Sequence, residues 1–371
     1  MLKLGLFPVM LGRSAAGPET YERQLLRALA AVDTVNEYHV WCLDQAAADA
    51  MGPPQPNIVR HVLWPRTRWV SMSASLPLAI LRSGVQLLHA TFTPPPICPR
   101  AFVFTMHGAV TLTHPQFYSG AVRARLNPLL RRGLARSKVT LCVSDFVKQE
   151  MISVFGIPEA RLRTVYHGVD STFRPLDSAA VASRLQARHG LTPGYVLYVG
   201  KLHSNKNIVR LIEAFDLATR GQGEVELVLA GRLVFGCDGI DQTVQRLGLG
   251  HRMHRLGHLD PADLPDLYNG AACMVFPSLW EGFGLPVVEA MACGTPVIAS
   301  NVACLPEIAG GAARLVDPLS TEAIADAITA VLGSAEVRAE LRRLGLARAA
   351  HFSWERAALE TLATYEQAVC T

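Results

Sequence analysis

No run of this sequence is long and apolar enough to span a bilayer: the longest are about 5–8 residues, against the ~20 that a membrane helix needs. The opening Met1-Leu2-Lys3-Leu4-Gly5-Leu6-Phe7 enters a strand pattern directly and lacks the length and cleavage pattern of a signal peptide. A cytoplasmic protein is therefore expected. No two of the eight cysteines have C-x-x-C spacing, so neither a zinc site nor a redox pair is indicated. Cys42, Cys142 and Cys273 fall inside apolar strand patterns, and these and the other five, Cys98, Cys237, Cys293, Cys304 and Cys370, read as structural thiols. No Asp-x-Asp pair occurs, no G-x-G-x-x-G follows either half's first strand, and no loop has the P-loop glycine spacing. These absences count against a metal-clamped diphosphate, a dinucleotide-dependent oxidoreductase and a P-loop. The net charge of +4 is too small to indicate nucleic acid as a partner.

What the chain does have is alternation. With 371 residues, half of them hydrophobic and 18% charged, it exceeds what one core supports, and two globular domains are expected. Short apolar runs at 3–9, 38–43, 58–63, 86–89, 102–106, 139–144 and 163–166 read as strands, with helical patterns at 19–31, 121–136 and 146–155. The pattern then restarts. Strands are expected at 195–199, 226–230, 254–256, 272–276, 297–299 and 314–316, and helices at 207–219, 242–247, 262–268 and 321–332. Such alternation implies an α/β protein of two Rossmann-like, doubly wound parallel-sheet domains facing a cleft, with ligands at the carboxyl ends of strands. A polar, alanine-rich stretch at 168–191, bracketed by Asp170, Pro175 and Pro193, marks the boundary. The domains are placed at 1–172 and 173–352, and 353–371 is one more amphipathic helix behind a Ser353 cap.

One stretch organises the rest. The apolar run 272–276 leads into Pro277-Ser278-Leu279-Trp280-Glu281-Gly282-Phe283-Gly284-Leu285-Pro286, then a helix that closes at Gly294. Pro286 suits the first helical turn and Gly294 a left-handed cap. The turn aims backbone N–H groups and the positive end of a helix at one point, which suits a phosphate. Glu281 before the helix and Glu289 within it can accept hydrogen bonds from hydroxyls. Sugar hydroxyls plus a diphosphate describe a nucleotide-sugar.

Three further constellations stand at expected strand ends. Lys201 and Lys206 lie in the loop Gly200–Asn207, where helix starts ordinarily favour acids, so the cations indicate an anion. His107, followed by Gly108, would project from its strand's carboxyl end and hydrogen-bond a substrate hydroxyl, or merely cap the strand. Gly17 sits in the loop 11–21, where glycine permits close approach to the backbone; an ordinary strand-to-helix turn explains it equally well. Arg123, Arg125, Arg131, Arg132, Arg136 and Lys138 crowd the helix 121–138, which suits an anionic membrane surface or simple solvation.

Together these features resemble the retaining glycosyltransferases of family 4, which have the GT-B fold. The resemblance covers essentially the whole chain and is strongest from Phe276 to Val297, the paired-glutamate signature. Val143-Ser144-Asp145-Phe146, Gly168-Val169-Asp170, the Lys201–Asn207 loop and Ala303-Cys304-Leu305-Pro306-Glu307 are also similar. The resemblance implies that Glu289 binds ribose hydroxyls and Glu281 contacts the donor sugar. It implies that the amides of Gly282, Phe283, Gly284 and Leu285 hold sugar hydroxyls and phosphate, and that Lys201 and Lys206 neutralise the diphosphate. It makes His107 the first-domain histidine that reaches the donor sugar; Gly108 departs from the aspartate often found next. Gly17 matches the second loop glycine, with Ala16 replacing the first, and His167 stands where asparagine is frequent. The final helix would cross back onto the first domain.

The expected activity is transfer of a hexose, GDP-mannose being the favoured donor, to a glycan or lipid-linked acceptor in bacterial surface polysaccharide synthesis. The preference for GDP-mannose rests on Leu88-His89-Ala90-Thr91-Phe92-Thr93-Pro94-Pro95, which resembles mannosyltransferase members. His107, Glu281 and Lys206 carry the expected catalytic roles. No metal and no separate cofactor are expected, since two lysines and a helix N-terminus can stabilise a departing diphosphate. The alternatives are a UDP-glucose-dependent glucosyltransferase, a nucleotide-sugar epimerase on the same fold, and a non-catalytic binding protein. A peripheral position on the inner membrane face would follow if the arginine helix docks on lipid.

Overall fold

The computed structural model describes the chain except residues 66, 222–224, 235–238 and 371; Cys237 lies outside the described residues. Two units result. Unit 1 comprises Met1–Gly168 with Ser353–Thr371, and unit 2 comprises Val169–Phe352.

In unit 1, seven strands pair in the order β3-β2-β1-β4-β5-β6-β7, every pair parallel. They are β1 (Lys3–Phe7), β2 (Glu37–Cys42), β3 (Ile58–Val62), β4 (Leu87–Ala90), β5 (Ala101–Met106), β6 (Val139–Cys142) and β7 (Leu162–Thr164). In unit 2 the order is β10-β9-β8-β11-β12-β13, again all parallel. These are β8 (Tyr195–Val199), β9 (Leu227–Ala230), β10 (Met253–Gly257), β11 (Ala271–Phe276), β12 (Val297–Ser300) and β13 (Arg314–Val316). Central strands of such sheets are covered on both faces, which is why β4, β6, β8, β9 and β12 are buried at every residue and read as continuous apolar runs. In both sheets the order reverses beside the first strand, between β1 and β4 and between β8 and β11. Ligands of doubly wound sheets bind at that reversal, outside the carboxyl ends of the strands.

Helix Gly17–Val32 packs against the final helix Trp354–Cys370, so unit 1 is assembled from both ends of the chain. The join is polar as well as apolar. Tyr365 Oη lies 2.6 Å from His89 Nδ1, His89 Nε2 lies 2.7 Å from Thr105 Oγ1, and Thr105 Oγ1 lies 2.8 Å from Tyr21 Oη.

Half of the alanine-rich stretch read as a boundary is helical. Helix Ser178–His189 is capped by Asp177, whose carboxylate accepts from Ala180 N at 2.9 Å, and it ends at Gly190 in the left-handed region. It buries Val181 and Leu185, and Arg184 donates twice to Asp266 of helix Leu264–Gly270, at 2.7 and 2.6 Å. Two buried residues in three turns leave little apolar periodicity to read. Helix Ala335–Ala349 went unread for the same reason, since Gly345 and Ala349 are its buried residues.

Candidate active site

The loops after β8 and β11, on either side of the reversal in unit 2, carry Lys201, Lys206 and Glu281, and Glu289 lies in the helix Leu285–Cys293 that follows the second loop. Leu279 N donates to Asn205 O at 2.8 Å, and Asn205 Nδ2 donates to Trp280 O at 3.1 Å. Asn207 has the left-handed conformation (φ 61°) and its amide donates to Pro277 O at 3.2 Å and to Pro318 O at 2.6 Å. Asparagine tolerates that backbone, and here its side chain ties three segments together. The clamp brings Lys206 onto Glu281: Nζ hydrogen-bonds Oε1 and lies 5.8 Å from the Phe276 ring centroid. The side chains are 18% and 12% exposed. Lys206 is therefore half of a nearly buried ion pair.

The Lys201 side of the loop is fixed by backbone contact. Gly200 N donates to Ala230 O and Leu202 N to Arg232 O, both at 2.9 Å. Gly231 (φ 152°) passes so close that a Cβ there would lie 1.8 Å from Gly200 O.

Behind the β11 loop, helix Leu285–Cys293 starts at Gly284 (φ 88°) with Pro286 in its first turn and no side chain capping its N-terminus. A Cβ on Gly284 would meet Leu305 Cδ2 at 2.9 Å. Gly282, Phe283 and Leu285 are buried, and the Phe283 ring meets Phe352 edge-on at 5.6 Å. Glu289 accepts from Tyr268 Oη at 2.8 Å. Burial drives its pKa up to about 7, offset by that hydrogen bond and reinforced by Asp170. A carboxyl poised near neutrality can lose its proton and accept from vicinal hydroxyls at modest cost.

In unit 1, His107 follows β5. Its Nε2 lies 3.0 Å from the Thr91 carbonyl, so Nε2 donates and Nδ1 is left as an acceptor. Burial pushes its pKa down to about 4, and the ring is neutral at pH 7. Tyr21, Phe92 and His167 surround it at 4.8, 5.2 and 5.5 Å. His167 is stacked on Trp354 at 5.6 Å. Gly17 is the first residue of its helix, and the strained backbone falls one residue earlier: Ala16 has φ 57° and ψ −129°. Ala16 thus holds a backbone conformation that favours glycine, without being glycine.

Two glutamates that sequence reading passed over hold this loop from below. Glu19 accepts from Gly12 N at 3.1 Å and Ala15 N at 2.9 Å. Glu22 accepts from Met10 N at 2.7 Å and lies 2.6 Å from Thr91 Oγ1, which also reaches Phe7 O at 3.0 Å. One threonine proton cannot serve two acceptors. Both contacts are satisfied if Glu22 is protonated and donates to Thr91, and burial indeed raises its pKa to about 8 from 4.5. An acid in the first helical turn is the signal that could have found Glu19. Between about pH 4.5 and 8 the native state then holds a proton that the unfolded chain has lost. Stability from this site is complete below about 4.5 and is lost as pH rises through about 8, with a slope of up to ~1.4 kcal/mol per pH unit. Glu22→Gln is expected to raise the Tm at pH 8 and flatten its decline from pH 6 to 8; thermal unfolding of both proteins at the two pH values measures this.

Two doubly wound units, with paired acid and lysine at the strand-order reversal of the second, define a glycosyltransferase of the GT-B class. Residues 15–173 match glycosyltransferase family 4, and residues 183–346 match glycosyl transferases group 1. The O-antigen chain mannosyltransferase B of Escherichia coli is 34% identical over 265 residues, 71% of this chain and 70% of that protein. Among solved structures, sucrose-phosphate synthase from Thermosynechococcus elongatus aligns over 99% of both chains (TM-score 0.77, 23% identity). Anabaena HepE, solved with UDP and glucose, aligns over 99% of this chain and 100% of its own (TM-score 0.78, 18% identity). The chain belongs to glycosyltransferase family 4 and resembles its bacterial mannosyltransferases.

Proposed function

We propose that this chain is a retaining hexosyltransferase that takes a hexose from a nucleotide-sugar, GDP-mannose before UDP-glucose, and gives it to a glycan or lipid-linked acceptor of a bacterial surface polysaccharide. The observation that carries this reading is the Lys206–Glu281 pair at the switch point of unit 2, with Glu289 in the helix that follows. The 34% identity to an O-antigen chain mannosyltransferase supports the sugar and the pathway.

An ammonium group has three donors. Lys206 can keep Glu281 and still donate to a diphosphate oxygen, so its charge is already in place when the leaving group develops its own. Glu281 holds that lysine and stands ready for a donor-sugar hydroxyl, while Glu289 takes the ribose. The acceptor oxygen bonds to the anomeric carbon on the face from which the diphosphate departs. The carbon–oxygen bond to phosphate breaks, and the acceptor's proton passes to the departing phosphate oxygen. No side chain has to serve as base. Neutral His107, in unit 1, offers an acceptor nitrogen to a substrate hydroxyl.

A thermal-shift panel of nucleotide-sugars, followed by turnover with and without a chelator, tests the reading. GDP-mannose should raise the Tm most, sugar should move only when an acceptor is present, and transfer should survive the chelator. Conversion of donor alone would favour an epimerase, a larger shift with UDP-glucose would replace the donor, and a strict Mg²⁺ requirement would overturn the role given to the lysines.

A further inference from the structure

From residue 50 to residue 144 the sequence contains no Asp or Glu, although it contains eleven Arg and Lys. The rest of the chain is net acidic. All of this acid-free stretch belongs to unit 1, and it includes the helical segment that joins β3 to β4, formed by Arg68–Val70, Ser71–Ser75 and Leu76–Ser83. One side of that segment is core: Met72, Leu76 and Ile80 are fully buried. The other side is apolar too. Val70, Leu78 and Leu81 are 45%, 51% and 53% exposed, with Ala74 between them on the same face, and Trp64 just ahead is 82% exposed. An exposed apolar stripe of this kind, flanked by exposed Ser73 and Arg82, suits a second apolar phase.

The basic helix Gly120–Arg136 adjoins it, because the Arg125 guanidinium lies 5.6 Å from the Trp69 ring centroid. Its Arg131, Arg132 and Arg136 are exposed. The stretch therefore brings exposed aliphatic side chains, interfacial tryptophans and cations to unit 1 and contributes no carboxylate of its own. A second copy of the chain would bring like charges together across a two-fold contact.

We infer that the Val70–Leu81 face is a membrane-docking surface, which beds into the headgroup boundary of an anionic lipid bilayer while the neighbouring arginines bind its headgroups. Tryptophan and aliphatic side chains on one face with arginine beside them are the composition of interfacial helices, and each cation near the surface adds attraction that salt screens. The inference is independent of which sugar is transferred, and it gives a lipid-linked acceptor a nearby phase.

Flotation of the full chain tests it without any turnover. The protein should float with phosphatidylglycerol-containing vesicles at low salt, and do so much less with phosphatidylcholine alone or at 0.5 M salt. The double variant Leu78→Glu with Leu81→Glu should lower partitioning about tenfold or more, with its Tm and its thermal shift by nucleotide-sugar unchanged. Arg131→Glu with Arg132→Glu should weaken binding to the charged vesicles. Flotation of the Leu78/Leu81 variant equal to that of the unaltered chain would overturn the inference. So would failure of the unaltered chain to float, or a self-association that this variant abolishes.

Discussion

Glu281→Ala is expected to cut sugar transfer by about 10²–10³ or more, the range seen when one preorganised electrostatic group is lost. The substitution removes a candidate sugar contact and also frees Lys206, which would lose its buried partner beneath the Phe276 ring. Breaking such a pair from one side is costly in its own right, so Glu281→Gln belongs in the same experiment: it keeps size and an acceptor oxygen for Lys206 and removes only the charge. Lys206→Ala should act differently, weakening nucleoside-diphosphate binding by about 1–3 kcal/mol, as befits a charge-assisted contact. Calorimetric titration of nucleoside diphosphate, set beside initial rates for the three variants, separates the two roles. Near-normal transfer by Glu281→Ala would remove it from the site.

Gly231→Ala should have the largest effect on stability. Its φ of 152° is foreign to L side chains, and the added Cβ would sit 1.8 Å from the Gly200 carbonyl oxygen. Neither backbone can yield without parting the loops that follow β8 and β9. The expected cost is about 3 kcal/mol or more, and the same movement would shift Lys201, so nucleotide affinity should fall with the Tm. Gly248→Ala is the control. Its φ is +67°, yet nothing stands within 4 Å of the added Cβ, and about 1–2 kcal/mol is expected there with unchanged affinity. Thermal unfolding and nucleotide titration of both variants check this.

Much of the fold was written in the chain's periodicity. Parallel strands buried on both faces leave unbroken apolar runs, so β8 starts and ends at the residues expected and β1 differs only by stopping at Phe7. Helices that bury little, such as Ser178–His189, left no such trace. The candidate site divides in the same way. Glu281 and Glu289 stand out because a glycine turn and a proline-started helix lie between and beside them. That Lys206 meets Glu281 across 75 positions of sequence, through the Asn205 and Asn207 clamps, is a property of the folded loops alone. Glu22 was hidden for another reason: its importance lies in a proton, and the need for that proton shows only when Thr91 is found between two acceptors.

The return of helix Trp354–Cys370 to unit 1 sets an order of events during synthesis. Tyr365, which meets His89, and Trp354, which stacks on His167, are made only after the whole of unit 2. Chains fold largely as units while they emerge from the ribosome. Unit 2, contiguous in sequence, can close while unit 1 still lacks its last helix. Until then the partly formed first unit exposes the apolar side of helix Gly17–Val32, and chaperones that hold nascent chains would find their target there.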